Sequence, residues 1–242
     1  MWILRFPKRI AANSYAFLRE LWWYVKHLAT GTSYAEYYAD RMNHIVTRNP
    51  DWGLNLNKRF QLDYLQSHSM TPASTLLDYG CGALAAGIQF VGFLDAGNYT
   101  GLDISAEVLC EGERRLERAG LAARRAGLYL LDSNLAALLG ERQFDFLWAQ
   151  SVLTHMPPDD IRTLLRDIRP HMHGGSQLFT TFANTQGKPR QKQFKDWYYN
   201  REFFIETAAA YGFDVEFMTD WNHPNDSAGN DMMARFTLKG DR

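Results

Sequence analysis

"LLDYGCGALAAG" occupies residues 76–87: two leucines, an acid at 78, then glycines at 80 and 82. With the residues before it, "STLLDYG" (74–80) reads as a short buried strand, and "LAAGIQFVGFLDAG" (84–97) as a helix closed by Gly97. Glycines at such a strand-to-helix turn let the backbone bend tightly and come close to a ligand, because no Cβ stands between them. The helix that follows offers free amide N–H groups at its first turn.

The pattern repeats outward. "YTGLDIS" (99–105), "GLYLLD" (127–132), "FDFLWAQ" (144–150) and "GGSQLFTTF" (174–182) read as strands, the last entered through a Gly-Gly turn. "AEVLCEGERRLERAG" (106–120) and "PPDDIRTLLRDIRP" (157–170) read as the helices between them, the second opening on prolines and acids that suit a first turn. After the helix "REFFIETAAAYG" (201–212), "FDVEFMTDW" (213–221) and "DMMARFTLKG" (231–240) fit a closing hairpin. Strands alternating with helices predict an α/β fold with a doubly wound, mostly parallel sheet. Residues 1–48 read instead as helical, broken at Gly31 and restarted by a capping box of Ser33 and Glu36, with one more helix in "KRFQLDYLQSHS" (58–69). The expected organisation is a helical N-terminal extension or cap over residues 1–70 and a ligand-binding domain over 71–242.

Composition narrows the possibilities. The net charge of −1 over 242 residues gives no overall reason to expect a nucleic-acid partner. Residues 1–28 nevertheless carry Arg5, Lys8, Arg9, Arg19 and Lys26 against Glu20 alone, a net +4 that leaves −5 for the rest. Two isolated cysteines, Cys81 and Cys110, without a C-x-x-C pair suggest a reducing compartment. No run of eighteen apolar residues and no leader-type start are seen, so a cytoplasmic location is expected.

The turn suits two cofactor classes. Gly80-Cys81-Gly82-Ala83-Leu84-Ala85 fits a loose G-x-G-x-x-G/A dinucleotide pattern, and Asp103 lies about 20 residues on, where an acid would take a ribose. Asp78 tips the balance. A carboxylate two residues before the first glycine sits badly beside an anionic pyrophosphate, and well beside an ammonium and a sulfonium.

Together, "LLDYGCGALAAG", "YTGLDIS" and "FDFLWAQSVLTHMPPDDIRTLLRDIRPHMHGGSQLFTTF" resemble the class I S-adenosylmethionine-dependent methyltransferases, from about residue 74 to the end of the chain. The resemblance implies a Rossmann-like, seven-stranded sheet whose last strand runs antiparallel, and S-adenosyl-L-methionine as cofactor. It implies that Asp78, Tyr79, Gly80 and Gly82 line the methionine end of the cofactor. It also implies that Asp103, with Ile104 beside it, takes the ribose hydroxyls, that Asp132 and Ser133 face the adenine, and that Gln150 lies along the methionine moiety. Leu84 departs from the pattern, standing where many members have a third glycine. Without the resemblance, Asp78, Asp103 and Asp132 also read as strand-end acids capping the next helix, and Gln150 as a solvated loop residue.

Methyl transfer is an in-line displacement, so positioning is the main task, and an oxygen nucleophile must also lose a proton. His155 in "SVLTHMPP" (151–158), just past the fourth strand, is the candidate base; the alternative is a structural histidine bonded to loop backbone. In "DWNHPNDSAGNDMM" (220–233), Asp220, His223, Asp226 and Asp231 match no common metal spacing, so no metal is expected. Trp221 and His223 read as acceptor contacts, or Trp221 as a cap on the core. "QKQFKDWYYNREFF" (191–204), with Lys192, Lys195, Trp197, Tyr198 and Tyr199, reads as a lid over the acceptor with Tyr198 in contact, more readily than as a nucleic-acid surface. Tyr37, Tyr38 and Arg41 are placed over the cofactor from the N-terminal side.

The expected activity is O-methylation of a small molecule, sugar or lipid-linked glycan. An NAD(P)-dependent oxidoreductase is the alternative, weakened by the lack of a Tyr-x-x-x-Lys pair; a non-catalytic cofactor-binding partner subunit is another. The aromatic, basic start (Trp2, Phe6, Trp22, Trp23 and Tyr24 among the five cations) reads either as a peripheral membrane helix or as a surface packed on the domain or a second copy.

Overall fold

The computed structural model describes residues 5–49, 58–132, 134–192, 194–224 and 231–240. Helix α1 (Arg5–Thr30) stops where Gly31 adopts a φ of +64°. Helix α2 (Tyr34–Arg48) starts on the expected capping box: Ser33 Oγ accepts from Glu36 N at 3.2 Å, and Glu36 Oε2 accepts from Ser33 N at 2.7 Å. Helix α3 (Arg59–Ser67) completes the helical N-terminal region.

Alternating elements follow: β1 (Leu76–Tyr79), α4 (Gly87–Phe93), β2 (Tyr99–Asp103), α5 (Ala106–Arg118), β3 (Gly127–Leu130), α6 (Leu135–Leu139), β4 (Phe144–Ala149), α7 (Pro158–Ile168) and β5 (Met172–Asn184). A short hairpin, β6 (Arg190–Lys192) and β7 (Asp196–Tyr199), precedes α8 (Arg201–Ala210), β8 (Phe213–Phe217) and β9 (Asp231–Leu238). Strands β3-β2-β1-β4-β5 are parallel in that order. Strand β9 pairs antiparallel with β5 and β8 antiparallel with β9, which completes seven strands with only β9 reversed. The hairpin adds two short strands, β7 pairing parallel with the last residues of β5 through Ala183↔Tyr198 and Asn184↔Tyr199.

Side-chain alternation shows why both faces are covered. Leu77, Leu147 and Ala149 join one core with Leu164, Leu165 and Phe204 from α7 and α8. Leu76, Phe146 and Trp148, one residue out of step, join a second core with Leu62, Leu65 and Phe90 from α3 and α4. A strand with apolar residues at every position supplies two cores at once. The N-terminal helices are tied to this body: α2 packs Met42 and Val46 against Ala83 and Val108, and the buried Arg41 makes a bidentate pair with Glu20 of α1 at 2.6 and 3.0 Å.

Two details differ from expectation. Gly174 and Gly175 lie inside β5 instead of before it. Phe144 pairs with Met172 and Phe146 with Gln177, so β5 bulges outward between them. Ser176 closes the bulge, accepting from His173 N at 2.8 Å and donating to Phe144 O at 2.6 Å. The first crossover helix is also shorter than expected, because residues 84–86 are spent in the turn. Leu84 takes a φ of +60°, the left-handed conformation that a third glycine would adopt readily.

Leu84 is fully buried, and glycines elsewhere make the room for it. A Cβ on Gly87 would come within 2.6 Å of Leu84 Cδ2, and one on Gly112, inside α5, within 3.1 Å of Leu84 Cγ. Glycine inside a helix costs about 1 kcal/mol relative to alanine, so Gly112 is retained for space, not for helicity. Gly112→Ala is therefore expected to leave stability unchanged or lower in the wild type, and to raise it by roughly 0.5–1 kcal/mol in a Leu84→Ala background. Denaturant titration of the four proteins of this cycle checks it; additive effects would refute the packing account.

Candidate functional site

A cavity of about 700 Å³ opens beyond the carboxyl ends of β1, β2 and β4. Its floor is the glycine turn. Gly80 N and Cys81 N both donate to Leu102 O, at 2.8 and 2.9 Å, pinning the turn to β2. Gly80 has a φ of +74°, and a Cβ there would sit 2.5 Å from Val152 Cγ2, so the position admits only glycine. Gly82, with a φ of +57°, lines the cavity, and a Cβ on it would meet nothing within 4 Å.

Two carboxylates flank the turn. Asp78 is buried and accepts from Tyr99 Oη at 2.7 Å. Asp103 accepts from Gly82 N on one oxygen and Ser105 N on the other, both at 3.0 Å. Burial pushes Asp78 up to about 7, against the Tyr99 hydrogen bond and with the help of the Asp103 charge. Burial pushes Asp103 up to about 6 in spite of its backbone donors. The same burial pushes the Cys81 thiol upward. A cavity with two such acids and no cation among their influences is suited to a positively charged ligand.

Helices α2 and α3 form the facing wall. Tyr34 and Tyr38 of α2 line the cavity, while Arg41 is engaged with Glu20 and stands 5.6 Å from the Tyr38 ring centroid. Tyr37 is buried within the N-terminal helices and is not among the lining residues. Ser105, which caps α5, donates to Asn43 Oδ1 of α2 at 2.6 Å and so ties this wall to the tip of β2. Gln61 of α3 accepts from Trp148 Nε1 at 2.9 Å and donates to Gln150 Oε1 at 3.1 Å. Gln150 therefore lines the cavity in a fixed orientation.

His155 lies in a 3-10 turn after β4 and lines the cavity. Its Nδ1 is 3.2 Å from Asp196 Oδ1 and 3.3 Å from Lys195 O on the β6–β7 hairpin, and its ring stacks on Tyr38 at 4.8 Å. Burial raises Asp196, but hydrogen bonds from His155 and Lys195 outweigh it and hold the carboxyl below the usual carboxylate range. Lys195 Nζ donates to both Asp196 oxygens, at 2.8 and 2.9 Å.

The structure thus brings together at one cavity Asp78, Tyr79, Gly80, Gly82, Asp103, Ile104, Gln150 and His155. Asp132 is exposed and outside the lining, next to Leu131, which is in it; Ser133 and Asp226 lie outside the described residues. Trp221, His223 and Tyr198 also stand outside the lining. Trp221 packs edge-on against Tyr64 at 4.9 Å and Trp148 at 5.8 Å, behind the cavity wall, and His223 sits beside Phe60 at 5.2 Å. Tyr198 faces Lys192 and Arg190 on the hairpin, 5.2 and 5.8 Å from its ring. Asp220 accepts from Tyr64 Oη at 3.1 Å, and among the described residues no three potential ligands gather into a metal site. Gln61 and Asp196 are the residues that sequence reasoning missed. A glutamine on the apolar face of α3, beside Leu62 and Leu65, was the available signal for the first; Asp196 had none.

Residues 77–178 match the family model of a methyltransferase domain. Among solved structures the fold is similar to magnesium protoporphyrin IX methyltransferase (ChlM) from Synechocystis PCC 6803 with bound SAM, at 13% identity and a TM-score of 0.65, covering 86% of this chain and 98% of that one. It is also similar to the glycopeptide N-methyltransferase MtfA complexed with S-adenosyl-L-homocysteine, at 14% identity and 0.59, covering 76% and 91%. An S-adenosylmethionine-dependent methyltransferase from Clostridium acetobutylicum ATCC 824 aligns at 13% identity and 0.58, covering 83% and 99%. No curated protein sequence matches the chain. The fold is that of the Rossmann-like methyltransferases. Residues 77–178 are thus a methyltransferase domain, and they carry the glycine turn and both acidic strand ends, a site that S-adenosylmethionine fits.

The two acids make the site sensitive to pH. Their raised values mean that the ligand-free protein holds protons which the unfolded chain releases near pH 4, so their contribution to stability is present at low pH and is lost as pH rises through about 6 and 7. A cationic ligand favours the ionised carboxylates, so S-adenosylmethionine affinity is expected to rise over the same window, with proton release on binding. Asp78→Asn, which keeps the Tyr99 contact, should flatten the first trend and reduce the proton release. Thermal melts across pH and calorimetry in buffers of different ionisation enthalpy measure both.

Proposed function

We propose that the enzyme methylates a hydroxyl oxygen of a small molecule, sugar or lipid-linked glycan. The observation that supports this reading is the His155–Asp196 pair at the cavity wall. An alcohol must lose its proton as it attacks, whereas a neutral amine attacks through a lone pair it already has. With Nδ1 committed to Asp196 and the Lys195 carbonyl, the neutral ring carries its proton on Nδ1 and its lone pair on Nε2. Nε2 then takes the acceptor's proton, and the ionised Asp196 stabilises the resulting imidazolium and holds the ring plane. Stacking on Tyr38 restricts the ring further.

The cofactor supplies an electrophilic methyl group when it is bound. Asp78 receives its ammonium end, and the side-chain-free turn at Gly80 and Gly82, with Tyr79, admits the methionine moiety close to the backbone. Asp103 takes the ribose with the lone pairs its backbone donors leave free, Ile104 packing alongside. Gln150, oriented by Gln61, borders the methionine moiety. The helical extension (1–70) caps the catalytic domain (71–242), with Tyr34 and Tyr38 closing the acceptor side together with the hairpin. Trp221 and His223 support that wall from behind through Trp148. The structural neighbours include an N-methyltransferase and a porphyrin methyltransferase, so the fold alone does not choose the acceptor; the proton-accepting pair is what supports a hydroxyl.

Turnover of labelled S-adenosylmethionine on matched hydroxyl, amine and carboxylate acceptors tests this. His155→Ala is expected to lower kcat roughly 10²–10⁴-fold on the hydroxyl acceptor while leaving cofactor affinity unchanged. Asp196→Asn should reproduce part of that loss in kcat with the same unchanged affinity. Full turnover by His155→Ala, or activity confined to amines, would overturn the reading. Asp103→Ala, in contrast, should weaken S-adenosylhomocysteine binding in calorimetry at least tenfold, since one charged hydrogen-bonding partner of a ribose is worth about 1.5–3 kcal/mol.

A further inference from the structure

We infer that α1 docks the enzyme on the surface of an anionic lipid bilayer. The helix has one face fastened to the protein and one left bare. On the inner face, Glu20 is bound by Arg41, Trp23 meets His44 at 5.4 Å, Lys26 pairs with Asp40 at 2.9 Å, and Tyr24 stacks near Phe194 at 5.0 Å. On the outer face, Leu18, Trp22, Val25 and Leu28 are 53–63% exposed, and Phe17, at its margin, is 52% exposed and packs against Phe194 at 5.8 Å. Among the described residues only one other large apolar side chain, Ile205, is as exposed, so this stripe is the one concentration of uncovered apolar surface. Leu18, Trp22 and Val25 follow the i, i+4, i+7 spacing of a single helix face.

Charge selects the occupant. Residues 1–32 contain five cations and one acid, and that acid, Glu20, is already neutralised by Arg41 and Arg19. Arg5, Lys8 and Arg9 belong to the first turns of the same helix. A second copy of the chain would bring the same cationic helix against itself, which like-charge repulsion opposes. A negatively charged headgroup layer complements it, and the apolar stripe enters the headgroup–acyl boundary, as an interfacial helix requires. The helix does not insert through the bilayer: no described helix is long and apolar enough to cross one.

The consequence for the site is geometric. After Gly31 and Thr32 the chain passes straight into α2, whose Ser33, Tyr34, Ala35 and Tyr38 line the cavity. Docking through α1 therefore holds the cavity next to the bilayer surface.

Flotation of the full chain with phosphatidylcholine vesicles, with and without about 30% phosphatidylserine, tests the inference. The expected result is binding that requires phosphatidylserine and is lost between about 50 and 500 mM salt. Leu18→Ser/Trp22→Ser/Val25→Ser should weaken it at least tenfold with little change in the thermal melt, since all three are more than half exposed and the ring contact of Trp22 is with Trp23 on the same helix; Leu18→Ser/Val25→Ser, which leaves that contact intact, provides a milder check on folding. Arg5→Gln/Lys8→Gln/Arg9→Gln should weaken it by about fivefold per cation, roughly 100-fold in all. Failure to float with phosphatidylserine at low salt overturns the proposal. So does a dimer in solution that the triple serine variant dissociates, because the stripe would then be an interface between copies. Neither readout depends on methyl transfer, so the proposal fails or stands apart from the assigned reaction.

Discussion

The arrangement turns on two carboxylates buried at the same crossover, neither of them paired with a cation among the described residues. Asp78 and Asp103 end adjacent parallel strands, β1 and β2, and both are pushed upward by burial. A protein gains nothing in stability from such a pair in isolation; desolvation opposes the ionised form of each. The glycine turn is what makes the pair usable. Because Gly80 and Gly82 bring the backbone close, Gly82 N donates to Asp103, and the same acid receives Ser105 N at the start of α5. One carboxylate therefore holds the first turn and the second helix in register around the cavity. The strain of the unpaired charge is left for a cationic ligand to relieve, which suits a cofactor carrying both an ammonium and a sulfonium.

The site also depends on parts of the chain outside the sheet domain. Asn43 of α2 accepts from Ser105, Tyr38 stacks on His155, and Gln61 of α3 bridges Trp148 to Gln150. Each contact reaches from the N-terminal helices to a strand end. The helical region is in this sense a wall of the cavity. Its own anchoring, the buried Glu20–Arg41 pair, lies one layer farther out, and losing one partner there would leave a buried charge unmatched.

The parts legible in the sequence are those where local chemistry decides the outcome. Gly31 and the Ser33–Glu36 box set the break between α1 and α2, and the period of the strands set the two-faced sheet, because both depend on residues within a few positions of each other. The glycine turn with Asp78 and Asp103 was legible for the same reason. The acceptor side was not. Trp221, His223 and Tyr198 looked exposed and aromatic, yet Trp221 is taken up by Tyr64 and Trp148, partners 157 and 73 positions away in the chain. Asp196 was missed because its partner, His155, is 41 positions back. Pairings at that separation are made by strand order, which carries no local signature.

Leu84 shows how a departure from a pattern can be absorbed. The turn demands a left-handed residue at that point, and the chain supplies a leucine with a φ of +60°. That conformation costs an L residue about 1 kcal/mol or more, but burying a leucine side chain returns roughly 1.5–3 kcal/mol. The exchange works only if space exists for the side chain, and Gly87 and Gly112 provide it from α4 and α5. The glycine missing from the loop has in effect moved to the two helices that pack on it. The N–H groups of the turn face Leu102 and Asp103, which fixes the cavity floor. A loop pattern therefore has to be read together with the helices that pack on it, since the conformation that matters is held by space as well as by residue type.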